Sequence, residues 1–197
     1  MSPTEMPRIA PLEPPYEPSV ETWLRRWMPP GSDGVAPLAL FRTLARHQEL
    51  AQRMRPLGAG LLAHGRLSVR DRELAILRTS ARCGAEYEWG VHVVGFAAAA
   101  GLDEAVVAAT AHASPAEVAT VAGLRDEDRA VVTLADELHD GAAPSEATWQ
   151  ALAARLDEEQ LLELMVLCGY YHAIAYVIAG ARLPLEPWAR RFVAAPR

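Results

Sequence analysis

From residue 38 to its end, this chain repeats apolar side chains at spacings near 3.6 residues, and nowhere does it sustain a period-two alternation. That pattern excludes a core built from sheets and predicts an all-α domain over residues 38–197. The segments "LALFRTLARHQELAQRMRPLGAGLL", "SVRDRELAILRTSARC", "EYEWGVHVVGFAAAAGL", "DEAVVAATAHA", "RDEDRAVVTLADELHDG", "SEATWQALAARL" and "DEEQLLELMVLCGYYHAIAYVIAGARL" read as successive helices. Their punctuation agrees. Ser68 is placed to cap the second, Gly101 and Gly141 end the third and fifth, Ser114-Pro115 closes the fourth, and Pro144 precedes the sixth. A helix opening on Arg-Asp occurs at "RDRELAILRTS" and again at "RDEDRAVVTLADEL". Each is followed, after gaps of different length, by a helix carrying an aromatic cluster and a His, a faint sign of duplication.

Residues 1–37 differ. They are rich in proline, which fixes φ and drives its predecessor toward extended backbone. This segment reads as an arm with one short helix near "SVETWLRRW", with Ser19 as its expected cap and Glu21 in its first turn. Tyr16, Trp23 and Trp27 give the arm apolar anchors for lying on the body or on a neighbouring subunit.

The net charge is −6 and the cations, nearly all Arg, are scattered. A surface that neutralises nucleic-acid phosphates needs them clustered, so no nucleic-acid partner is expected. The N-terminus has no apolar signal-peptide core, and no window is expected to span a membrane free of charges, so the expected compartment is cytoplasmic. Two cysteines, Cys83 and Cys168, are too few for a disulfide framework in a chain of 197 residues.

The stretch "CGAEYEWGVH", Cys83 to His92, concentrates the chemistry. On a helix, Glu88 and His92 are four residues apart and share a face. A carboxylate beside an imidazole fixes its tautomer and raises its pKa, giving an acid/base couple near neutrality. Glu73 lies on the preceding helix among Leu74, Ile76 and Leu77, where an unpaired carboxylate is costly. Packing the two helices together would bring Glu73 toward Glu88 or His92. The three residues then form a candidate proton-transfer site, with His92 as general acid/base, Glu88 orienting it and Glu73 as second carboxylate. Tyr87 and Trp89 are expected either to bind substrate or to support the residues that do. Taken without a partner helix, the same Glu–His pair is an ordinary surface pair worth a few tenths of a kcal/mol.

The span "RELAILRTSARCGAEYEWGVHVVGFAAAAGL" resembles the carboxymuconolactone decarboxylase and alkylhydroperoxidase-D-like superfamily, over roughly residues 40–112. The later "LCGYYHAIAYVIAGARLPLEP" is similar to the continuation of the chain in longer members. The resemblance implies an alkylhydroperoxidase-D-like helical bundle, a small-molecule substrate, no metal and no organic cofactor, and assembly into homo-oligomers, trimers or hexamers and alternatively dimers. In the hydroperoxidase branch a Cys-x-x-Cys-x-x-x-His motif would place its thiols at Ala85 and Glu88, where this chain has none; the upstream glutamate falls on Glu73 and the histidine on His92. The decarboxylase branch has Glu-x-Glu and then His, matched by Glu86, Glu88 and His92, with Tyr87 where that branch often has His. The implied function is therefore a cofactor-independent lyase of the decarboxylase type, carrying out decarboxylation or isomerisation of a small organic acid or lactone. Two alternatives stand beside it: peroxidase-like chemistry through Cys83 alone, and a non-enzymatic oligomer that binds a metabolite.

His172, after Tyr170 and Tyr171 and four residues before Tyr176, reads either as a core histidine bonded to a tyrosine or as a wall of the substrate pocket, with Cys83 as a further wall residue. Cys168 reads as a small buried hydrophobe. His47 is open between a pocket and solvent, and His64, His112 and His139 read as structural. Glu73, Glu88 and His92 are a conceivable metal set, but they lack a second His at ligand spacing and none is expected to bind metal.

Overall fold

A computed structural model describes residues 6–28, 34–118 and 120–192. Among them there is no strand. The elements are α1 Pro18–Arg25, α2 Ala39–Leu44, a 3₁₀ turn Ala45–His47, α3 Gln48–Ala63, α4 Val69–Arg82, α5 Glu86–Phe96, α6 Glu104–His112, α7 Pro115–Val118, α8 Asp126–Gly141, α9 Glu146–Ala153 and α10 Glu158–Ala181.

Helix α4 is the axis. It packs against α5, α6, α8 and α10 at once, and Leu74, Ala75, Ile76 and Leu77 are all fully buried. A helix enclosed all round must be apolar all round or pair its charges. α4 does both. Arg70 bonds Asp128, Arg78 bonds Asp136 and Arg82 bonds Asp140, each pair separated by 58 residues. A constant offset means that α4 and α8 run parallel, joined by a ladder of Arg–Asp pairs. Ser68 caps α4 by accepting from the Asp71 amide, as its position in the sequence predicts.

The turn after α4 passes through Gly84 at φ 65°, a left-handed conformation that glycine adopts without the penalty a side chain brings. It sends α5 back along α4. On the far side of α5, Gly90 lies against the Arg190 backbone so closely that a Cβ would collide with the carbonyl; Arg190 N donates to Gly90 O, and Phe192 N to Glu86.

Three local expectations are corrected. Ser19 is not the cap of α1; that position falls to Glu17, because Pro18 supplies the first helical residue with its φ already set. The first long apolar segment is not one helix. It breaks at His47, whose Nδ1 accepts from the Leu50 amide and caps α3; of the two readings open for His47, the solvent-facing one holds, since the residue is exposed. Finally, α10, with 24 residues, is long and apolar enough to cross a membrane by length and composition. Its apolarity serves the protein interior on one side: Leu164, Leu167, Tyr171, Ile174 and Ile178 are buried.

The described part of the arm lies on the body. Trp23 and Leu24 are buried in a second cluster with Leu40, Leu44, Tyr87 and Ile174. Arg8 N donates to Ala181 O, and Arg42 bonds Leu12 O and Glu13. The Pro29-Pro30 segment lies outside the described residues.

Candidate functional site

The return of α5 along α4 brings the three expected residues together. His92 Nδ1 lies 2.8 Å from Glu73 Oε2, and His92 Nε2 lies 3.5 Å from Glu88 Oε1. Glu73 is itself held: Arg72 Nε donates to its Oε1 at 2.8 Å, while another Arg72 nitrogen donates to Leu62 O. The order is Arg72, Glu73, His92, Glu88, with charges alternating in sign. That alternation is what allows four ionisable groups to share a dry place. Side-chain exposure rises along the line, from 0% for Glu73 to 4% for His92 and 9% for Glu88. Phe96 lies at 5.0 Å and Tyr171 edge-on at 5.1 Å from the imidazole, and Arg72 sits over the Phe96 ring.

Burial alone would lower the pKa of His92. The hydrogen bonds that it donates to Glu73 and then Glu88, with the charges of both, outweigh it and raise the pKa to about 9. The imidazole is therefore cationic at neutral pH, with both N–H groups directed at carboxylates. Burial pushes the neighbouring Tyr171 phenol well above its ordinary value, so it stays protonated.

The other four expected residues lie elsewhere. The Tyr87 hydroxyl donates to Glu186 Oε1 at 2.6 Å and accepts from Leu40 N at 3.1 Å; Glu186 also accepts from Ala39 N. Tyr87 is a clasp joining α5, the start of α2 and the C-terminal segment. Trp89 donates to Thr110 Oγ1 and packs on Phe192. Both are 1% exposed with their polar atoms bonded internally, so neither presents a free polar atom to a substrate.

Cys83 and His172 meet each other, not His92. With His139 they line an open cavity of about 800 Å³ between the ends of α4 and α8 and the middle of α10. Cys83 Sγ is 3.8 Å from His139 Nδ1, and the His139 and His172 rings lie parallel with centroids 5.1 Å apart. His172 is only partly buried, which removes the core reading, and burial followed by the charge of His139 lowers its pKa. His139 belongs to this cluster, yet nothing in "LADELHDG" marks it; three separate helices bring the group together. Burial pushes the Cys83 thiol up to about 11 despite the opposing charge of Arg82, the reverse of what an attacking thiolate requires. Cys168 is buried, also raised to about 11, and both cysteines are free.

Several solved structures share the fold. An uncharacterised peroxidase-related protein from Silicibacter sp. TM1040 superposes with a TM-score of 0.74 at 14% identity, over 95% of this chain and 94% of that one. A cysteine-to-alanine variant of the debrominase Bmp8, in complex with 2,3,4-tribromopyrrole, gives 0.72 at 17% identity over 91% and 92%. A protein of unknown function from Agrobacterium tumefaciens, a putative antioxidant defence protein AhpD, gives 0.61 at 20% identity over 73% and 96%. No curated protein matches the sequence. Residues 48–126, which contain α4, α5 and all of Glu73, Glu88 and His92, match the model of the carboxymuconolactone decarboxylase family. Over residues 48–126 the chain is thus similar to the carboxymuconolactone decarboxylase family, and over most of its length it shares the fold of these solved structures.

Proposed function

We propose that this protein is a cofactor-independent enzyme that moves protons on a small organic acid or lactone, by decarboxylation or isomerisation. One observation carries the reading: Glu88, a carboxylate, stands beside His92 Nε2 at the position where the hydroperoxidase-type motif would have a thiol. The exchange removes the redox couple and leaves an acid/base pair.

The geometry favours a division of labour opposite to the sequence expectation. Glu73 is buried, fixed by Arg72 and bonded to Nδ1, so it orients the imidazole. Glu88 is more exposed than Glu73 or His92 and stands at Nε2, the nitrogen left for the reaction. In the decarboxylation of a β,γ-unsaturated acid, the pair of the breaking C–CO₂ bond becomes an α,β double bond, and the pair of the old β,γ double bond takes a proton at the γ carbon from His92 Nε2–H. Neutral imidazole remains, still donating Nδ1–H to Glu73. In an isomerisation, Glu88 takes a proton from one carbon and the pair returns one to another. General acid–base groups of this kind contribute about 10²–10⁴-fold.

The test is deuterium wash-in from D₂O, followed by NMR, over a panel of β,γ-unsaturated acids and lactones. His92→Gln is expected to lose about 10²–10⁴-fold in rate while keeping its helical circular dichroism. An undiminished rate in that variant would remove His92 from the chemistry. The alternative through Cys83 is disfavoured by its raised pKa, and a non-enzymatic role predicts no wash-in at all.

We also propose self-association through α10. Leu162, Val166, Gly169, Ala173 and Tyr176 lie in one exposed stripe, with Leu162 60% and Tyr176 68% exposed. Their four- and three-residue steps form a seam that a second copy can fill. The double variant Leu162→Glu/Val166→Glu is expected to reduce the mass measured by light scattering to that of one chain. A wild type that already runs as a single chain would end this proposal.

A further inference from the structure

Away from the Glu73–His92–Glu88 line, we infer that Cys83, His139 and His172 form a binding site for a zinc-class divalent cation. This inference does not depend on the proposed catalytic reading. The three side chains offer one sulfur and imidazole nitrogens whose atoms all lie within 4.8 Å of one another. Zinc with bonds of about 2.3 Å to sulfur and about 2.0–2.1 Å to nitrogen, in a tetrahedron, needs ligand atoms roughly 3.3–3.7 Å apart. The Cys83 Sγ to His139 Nδ1 distance of 3.8 Å is already close to that. The His139 and His172 rings lie stacked with centroids 5.1 Å apart, the roughly 5 Å that two imidazoles on one tetrahedral ion require, so the ion is reached once the partly exposed His172 ring turns out of the stack to aim a nitrogen at it.

The ligands stand on separate, firmly packed elements. Cys83 is the C-cap of α4, His139 lies in the last turn of α8, and His172 is at mid-length in α10. The Arg82–Asp140 and Arg82–Asp136 pairs tie the ends of α4 and α8 directly beside the site and occupy the guanidinium that would otherwise repel a cation. A mixed thiolate and imidazole set suits zinc over magnesium or calcium, which take oxygen ligands. The group faces an open cavity, so the fourth position is available to water or to a small ligand.

The experiment is a cobalt(II) titration of the full chain after dialysis against chelator, followed by displacement with zinc(II) in a calorimeter. The expected result is one ion per chain, with a near-ultraviolet thiolate-to-cobalt charge-transfer band and the strong visible bands of a tetrahedral ion. Cys83→Ser should abolish the charge-transfer band, and His172→Gln, at a partly exposed position, should weaken binding at least tenfold. Cys168→Ala and His92→Gln should bind as the wild type does. No charge-transfer band in the wild type would overturn the site. So would equal affinity in Cys83→Ser and His172→Gln, each checked for native circular dichroism, since the ion would then be bound elsewhere.

Discussion

Replacing Arg78 with Leu is expected to destabilise the fold by about 3–5 kcal/mol, the range for removing one partner of a buried ion pair. Arg78 is 1% exposed at the centre of α4. Its guanidinium meets both oxygens of Asp136, at 2.7 and 2.9 Å, and donates as well to the carbonyls of Thr110 and Ala113. One side chain therefore fastens α4 to α8 and to the end of α6. The substitution leaves the Asp136 carboxylate with only the longer 3.6 Å contact to Arg82, and takes the Arg78 donor from two carbonyls. Replacing both Arg78 and Asp136 with Leu should recover much of the loss, because the stranded charge is gone. Denaturant unfolding of the two variants decides this. A loss below about 1 kcal/mol for the single variant would mean that water reaches Asp136 and that the ladder is not a buried one.

The same ladder explains how much of the site is legible in the sequence. The helical period, the Ser68 cap and the Glu88–His92 step are local properties of the chain, and each is found in place. The approach of Glu73 is inferable as a tendency, from a carboxylate set among Leu74, Ile76 and Leu77 that needs a partner. Its 2.8 Å contact with His92 depends on the turn at Gly84 and on α8 and α10 pressing α4 from behind. Tyr87 and Trp89 mislead because proximity in sequence to a reactive group says nothing about which face of the helix a ring leaves from. Their partners, Glu186 and Phe192, are about a hundred residues away. The Cys83, His139 and His172 group is only partly legible for the same reason: Cys83 and His172 stand out as candidate wall residues, but nothing marks His139, and only the parallel pairing of α4 with α8 sets Cys83 beside it.

The second large effect is electrostatic. His92 should titrate near pH 9 in the wild type, observed through its imidazole C–H resonances. In Glu73→Gln its pKa should fall steeply. The imidazolium then loses its strongest hydrogen bond and charge while it stays buried, and burial acts to lower the value. Glu88→Gln should produce a smaller fall, since its contact is 3.5 Å against 2.8 Å. Stability moves with a definite sign. A folded-state pKa raised above the unfolded value of about 6.5 contributes stability that is fully present below pH 6.5 and is lost as pH rises through 9. Between those limits the wild type should accordingly lose about 3 kcal/mol relative to His92→Gln. A His92 that titrates at an ordinary value and ignores both glutamate substitutions would show that the carboxylates do not hold a proton on the imidazole. The acid/base reading would fall with it. A coupled, raised titration would instead mean that the protein keeps a protonated imidazolium in a dry crevice through neutral pH, with its Nε2–H on the side of its more exposed carboxylate neighbour. That is the state a carbon-protonating enzyme needs before its substrate arrives.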